Sequence, residues 1–188
     1  MARCRARRSA GQAGRRLYRL RRSAGLARPR SARQDREHGP FGGGWLVGAA
    51  LNRAPDLWAG VVADVPFVDV LTTLLGPARS VAAAELSEVG DVVNDAAAFA
   101  RVLRLCAYQN ILARRLPPVY LTASLADVRI PWGGVLKYVA RLRAAHPNNA
   151  VALRLDRDGN HWGPADPEKA ETWRAERVAF VLRALGVL

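Results

Sequence analysis

The chain has 188 residues, enough for one domain with a real core, and its formal charge is +13 at neutral pH. That charge is not spread evenly: residues 1–44 hold 13 Arg, no Lys and two acids, whereas residues 45–188 carry 16 basic and 14 acidic groups. The basicity therefore belongs to an N-terminal arm. Two cysteines (Cys4 and Cys106) make no disulfide framework and fit a reducing compartment. No apolar run reaches the length of a membrane span, and the N-terminus lacks the apolar region of a secretory signal, so a soluble cytoplasmic protein without membrane partners is expected.

Residues 1–38 are mostly Arg, Ala, Gly and Ser, with Leu17, Tyr18, Leu20 and Leu26 as the only large apolar side chains. Such a segment buries too little surface to offset its ordering entropy and reads as a disordered basic tail. A nucleic-acid arm would use arginines to release counterions from phosphates. No aromatic residues interleave for base stacking, so nucleic acid is not the expected partner. An Arg-rich, acid-poor transit peptide is a third reading.

The next stretch, Gly39-Pro40-Phe41-Gly42-Gly43-Gly44-Trp45-Leu46-Val47-Gly48, has the glycine spacing of a nucleophile elbow, but Phe41 stands where the serine belongs. From Trp45 the chain is an ordinary globular sequence. Small and apolar residues from Trp45 to Arg53 predict a tightly packed helix ended by Pro55. Residues 60–65 are a short β-branched strand. A loop and an apolar turn or helix follow to Leu75, then an irregular stretch over 76–93. Asn94-Asp95 caps a helix with Ala98, Val102 and Leu105 at helical spacing.

Val119–Ala123 is a second buried strand, and 133–144 a helix with Val135, Leu136, Val139 and Leu142 inward. Residues 150–155 form a third strand. The last helix, 167–185, carries Trp173, Val178, Val181, Leu182 and Leu185 as its apolar stripe. Alternating strands and helices imply an α/β fold with a parallel sheet, and ligands gather at the carboxyl ends of its strands.

Two loops at those ends carry chemistry. Asp127 follows the second strand and His161, between Gly159 and Gly163, follows the third. An acid and then a histidine on successive loops is the chain order of α/β-hydrolases, in which the acid fixes the imidazole tautomer and the imidazole takes the nucleophile's proton. Taken alone, Asp127 also reads as an N-cap or a partner of Arg129, and His161 as a polar loop residue. His146 follows a helix, where a cation suits the dipole. His38 lies in the arm.

Residues 43–188 resemble the C-terminal catalytic part of the prolyl oligopeptidase family, in its oligopeptidase B (protease II) branch. The resemblance rests on Gly43–Leu57, on Asp64-Val65-Pro66-Phe67-Val68-Asp69-Val70-Leu71-Thr72-Thr73, on Ala126-Asp127-Val128-Arg129-Ile130-Pro131 and on Asn160-His161-Trp162-Gly163. It implies the C-terminal half of an α/β-hydrolase fold over residues 45–188. It also implies a serine peptidase that cuts short peptides, after Arg or Lys in that branch, without a cofactor. Asp127 and His161 become the triad acid and base. Glu85 matches one carboxylate of the subsite for a basic side chain, and Ser87 stands where a second is expected. The family's propeller and first sheet strands are missing, which favours aggregation or pairing with another chain.

The family's Gly-Arg-Ser-Ala-Gly-Gly, written in GC-rich codons and read two bases late, gives Pro-Phe-Gly-Gly-Gly, residues 40–44. Thr-Asp-Phe-Ile-Ala-Cys-Ala, upstream in the family, gives Arg-Leu-Tyr-Arg-Leu-Arg, residues 16–21. Residues 1–44 are thus expected to be an out-of-frame arm, and the chain to lack peptidase activity. Ser9 and Ser23 lie in Arg-Ser-Ala-Gly runs, but neither follows an apolar strand.

Overall fold

Glycine and alanine dominate the first helix because it must approach its neighbours closely. The computed structural model describes residues 42–76 and 89–188, and in it helix α1 spans Gly42–Arg53. A Cβ on Gly44 would lie 2.3 Å from the Pro66 side chain, and one on Gly48 2.5 Å from that of Ala107. Helix packing, more than glycine's intrinsic propensity, therefore draws the helix three residues ahead of Trp45. Its far end is tied off by Arg114, whose guanidinium donates to the carbonyls of Asn52 (2.9 Å) and Arg53 (2.8 Å).

A 3-10 turn (Pro55–Leu57) leads to β1 (Val61–Ala63), shorter than the six residues expected. Helix α2 (Val70–Leu75) follows, and after the undescribed residues comes α3 (Ala96–Leu105). Asp95 caps α3 by accepting from Ala97 N–H at 2.8 Å. Then come β2 (Val119–Ser124), α4 (Trp132–Ala145), β3 (Val151–Asp156) and α5 (Pro167–Ala184). The three strands are parallel in the order β1-β2-β3, with Val61 opposite Val119 and Val119 opposite Val151. This is the α/β architecture expected.

Strand β2 is buried along its whole length and its side chains alternate between two layers. Val119, Leu121 and Ala123 join Leu51, Val135, Tyr138, Val139 and Leu142 in a core beneath α1 and α4. Leu136, expected inward, is only partly buried, and Tyr138 takes its place. A second core joins Phe67, Val70 and Leu74 to Ala98, Val102 and Cys106. Trp45 bridges toward it, its indole N–H donating to Leu105 O at 2.8 Å.

The opposite face, under α5, is different. Tyr120 stacks at a tilt on Phe180, 5.4 Å between centroids, and donates to Glu176 Oε2. Gly60 sits so close to Ala184 that an added Cβ would come within 2.8 Å of the Ala184 methyl. The predicted stripe is corrected at one position: Val178 is 51% exposed, whereas Trp173, Val181, Leu182 and Leu185 are partly buried, and no residue of α5 is fully buried. The helix rests on the sheet through Trp173, Glu176, Arg177, Phe180 and Ala184, which mix polar and apolar side chains. Apolar spacing alone could not find a face of that kind.

Of the arm expected over residues 1–44, residues 1–41 lie outside the described residues, and Gly42–Gly44 belong instead to α1. No helix among the described residues is long and apolar enough to cross a membrane.

Candidate active site

Both loops that follow β2 and β3 are built by short-range hydrogen bonds, and those bonds place Asp127 and His161. Asp127 Oδ1 accepts from the backbone N–H groups of Arg129 (2.8 Å) and Ile130 (2.9 Å), locking the turn after β2. Its other oxygen, Oδ2, lies 2.9 Å from His161 Nδ1. The turn contacts and the histidine contact thus fall on separate oxygens. In the turn Asp127 meets Arg129 through the backbone N–H of that residue.

His161 is held by a tight loop. Asn160 and Gly163 exchange backbone hydrogen bonds of 3.1 Å each, and Asn160 Oδ1 accepts from Trp162 N–H at 2.8 Å. Gly163 has a φ of +99°, a region glycine enters freely. A Cβ at Gly159 would fall 2.5 Å from Asp156 Oδ2, so that position too needs glycine. The two loops are stitched together: Leu125 N–H donates to Asp156 O at 2.9 Å, and the Ser124 hydroxyl donates to Gly159 O.

The dyad is dry, with side chains 3% exposed for His161 and 1% for Asp127. A carboxylate only accepts, so Nδ1 carries a proton, and in the neutral imidazole Nε2 then presents a lone pair. That is the tautomer a general base needs. Trp162 stands edge-on to the imidazole, with centroids 5.2 Å apart and planes at 74°.

A cavity of about 320 Å³ borders His161. Asp64 and Val65 from the end of β1, Thr122 from β2, and Trp173, Arg174 and Arg177 from α5 help to line it. Sequence reading missed these residues. The position of Asp64 at a strand end was an available signal, but the contributions of α5 were hidden by its mixed face. Val65 has a φ of 38°, costly for a β-branched residue, and its N–H is held by Thr122 Oγ1 at 3.0 Å. Asp64 Oδ2 meets Arg177 Nη1 at 2.6 Å.

The structure brings together Asp127 and His161. The nucleophile position Phe41, the subsite candidate Glu85 and the decoys Ser9 and Ser23 lie outside the described residues, as does His38. His146 is elsewhere: it is buried at the C-terminal end of α4, where its N–H donates to Leu142 O at 2.9 Å. It lines a larger cavity, about 980 Å³, at the amino ends of β2 and β3. That cavity touches neither member of the dyad, so size is no guide to the chemistry here.

The model of the prolyl oligopeptidase family matches residues 38–187. Protease 2 of Moraxella lacunata is 35% identical over 150 residues, covering 79% of this chain and 22% of that protein. Dipeptidyl aminopeptidase BI of Pseudoxanthomonas mexicana is 33% identical over 150 residues, covering 79% and 21%. Among solved structures, oligopeptidase B of Leishmania major superposes with a TM-score of 0.72 at 32% identity, over 77% of this chain and 20% of that one. The chain thus spans about a fifth of the length of these relatives. With the family match running from before the elbow helix to the end of α5, this chain belongs to the prolyl oligopeptidase family.

Proposed function

We propose that the chain is the catalytic-domain portion of a serine-type oligopeptidase in which proton transfer is prepared but nucleophilic attack is not. The reading is carried by one observation, the 2.9 Å contact between His161 Nδ1 and Asp127 Oδ2 at the carboxyl ends of adjacent strands. In a complete site a serine would attack the peptide carbonyl while His161 Nε2 takes its proton. His161 would then return that proton to the leaving amine, and Asp127 would hold the ring and stabilise the imidazolium. We read Phe41 as occupying the serine's position, from the register of Gly39–Gly44 against Gly-Arg-Ser-Ala-Gly-Gly. A phenyl ring has neither a proton to give nor a lone pair to attack with, so no acyl-enzyme forms. Hydrolysis of a fluorogenic Arg-peptide is expected to be absent, with His161→Ala indistinguishable from wild type. Turnover that disappears in His161→Ala would overturn the reading.

The substrate class is proposed as short peptides. Glu85 would hold a basic side chain, and Ser87 in place of a second acid weakens any preference for Arg or Lys. We place the chain in the cytoplasm. The gene and its upstream flank test the out-of-frame origin of residues 1–44: a compensating frame change would restore a serine and the upstream strands, and an intact single frame without such a relic would exclude it.

A second reading is favoured by the sheet. Three strands are described, and among the described residues nothing pairs with β1 on the side away from β2. A non-catalytic protein that binds a peptide or a partner chain, or a truncated product without function, fits that feature as well. A soluble monomer that melts cooperatively supports a binding module, and insolubility supports a relic.

A further inference from the structure

The cavity beside His161 has a composition that the catalytic dyad does not require. Its walls are partly aromatic, with Trp162 at the mouth (74% exposed) and Trp173 on α5. Its charged groups are Asp64, Arg174 and Arg177. Asp64 and Arg177 neutralise each other at 2.6 Å, both about three-quarters buried, so that pair is fixed wall. Arg174 differs. Its partner is Glu171, one turn back on α5, and both side chains are well exposed, at 60% and 68%. An exposed pair of this type is worth under ~1 kcal/mol, so Arg174 can exchange Glu171 for another carboxylate at little cost.

Position says whose carboxylate. Side chains of β2 alternate between the α4 face and the α5 face, and Thr122 belongs to the latter with Tyr120. The cavity therefore lies on the α5 side of the imidazole, across the sheet from the core that α1 fills. The histidine that accepts a nucleophile's proton must deliver it to the leaving amine, so the leaving half of a bound peptide lies against His161. A volume of about 320 Å³ is at the small end for ligand sites, the scale of a short peptide end.

We propose that this cavity is a subsite for the carboxyl-terminal end of a peptide. Arg174 pairs with the free α-carboxylate, and Trp162 and Trp173 cover an apolar side chain of the last residue. The inference rests on the peptidase reading of His161 and adds to it a class of ligand: peptides that end one or two residues beyond the imidazole.

The test compares Ala-Phe with its carboxamide, titrated into the full chain and followed on the indole N–H resonances of the five tryptophans. Ala-Phe should shift the Trp162 and Trp173 signals, identified by Trp162→Phe and Trp173→Phe, and the carboxamide should bind roughly three- to tenfold more weakly. Arg174→Gln should erase that contrast, and Arg174→Lys should keep part of it. Glu171→Gln, which removes the competing acid, should tighten Ala-Phe alone. Arg174 is exposed and pairs only with a surface acid among the described residues, so these variants should melt like wild type. Equal binding of acid and amide, no binding of either, or a contrast that survives in Arg174→Gln each overturns the subsite. The last outcome would move the charge to the basic arm. The binding assay does not depend on turnover. Hydrolysis by this chain would overturn its silence and leave the Arg174 contrast standing; loss of the contrast with silence intact overturns the subsite alone.

Discussion

The two faces of the sheet are held by different physics. Under α1 and α4 the contacts are mostly buried Leu, Val and Ala, with Tyr138 among them. Under α5 they are a tyrosine on a phenylalanine, Arg154 on Glu176 at 2.8 Å, Arg154 over the Trp173 ring and Arg177 on Asp64. The first face supplies stability through area removed from water. The second is adjustable in part: Arg177–Asp64 is a fixed, mostly buried pair, but the exposed Arg174–Glu171 pair can change partner. The cavity beside His161 opens on the adjustable face, where a ligand can enter without disturbing the core.

Truncation should separate the faces most sharply. Leu121→Ala, on the apolar face, is expected to cost about 3 kcal/mol in urea unfolding, since it removes a fully buried side chain and leaves a cavity. Asp64→Asn, on the other face, strands Arg177 in a part-buried site and should cost about 1 kcal/mol. A loss for Asp64→Asn as large as that for Leu121→Ala would erase the distinction.

Each face also holds one informative tyrosine. Tyr138 is buried in the apolar core and its hydroxyl has no hydrogen-bond partner among the described residues. Tyr138→Phe should therefore be neutral or stabilising, by up to ~1 kcal/mol. Tyr120 donates to Glu176, so Tyr120→Phe should destabilise by roughly 0.5–1 kcal/mol at neutral pH. Opposite signs for the same chemical change would be a direct reading of the two environments.

The smallest effect is a pH dependence. Burial, with help from the Glu176 charge, pushes the Tyr120 phenol up to about 12 from 10.0. The unfolded chain then loses this proton before the folded one does. The stability contributed by Tyr120 is intact below pH 10 and falls as pH rises toward 12. Comparing alkaline unfolding of wild type and Tyr120→Phe should show a shallower fall in the variant.

Legibility in the sequence followed the same division. The apolar face was readable because apolar residues recur at the period of their element: Leu142 and Val139 on α4, Val102 and Ala98 on α3, and the unbroken run of β2. Asp127 and His161 were readable because strand ends are where ligands gather and because their neighbours match a family. The α5 face was readable only in part, through Trp173, Val181, Leu182 and Leu185. Periodicity counts apolar residues, and there Glu176, Arg177 and Arg154 fill positions that the method scores as solvent-facing. It therefore promoted Val178, which is exposed, and passed over Arg177, which binds Asp64. The strain at Val65 was invisible for a related reason: nothing in a Val-Pro dipeptide announces a positive φ, which the Thr122 hydroxyl helps to hold from another strand.

The stitching of the two loops has a consequence for inheritance. Among the described residues, the hydrogen bonds that fix His161 against Asp127 lie between Ser124 and Gly163, and the pair itself is 34 positions apart in sequence. One strand–helix–strand crossover closes that distance, at a modest entropic cost for a segment of its length. The contacts that orient the imidazole are thus concentrated in a single cassette near the end of the chain. Loss of the attacking group can spread through a lineage without loosening the acid–base pair. An imidazole ready for proton transfer is therefore weak evidence, by itself, that a member of this family still cuts anything.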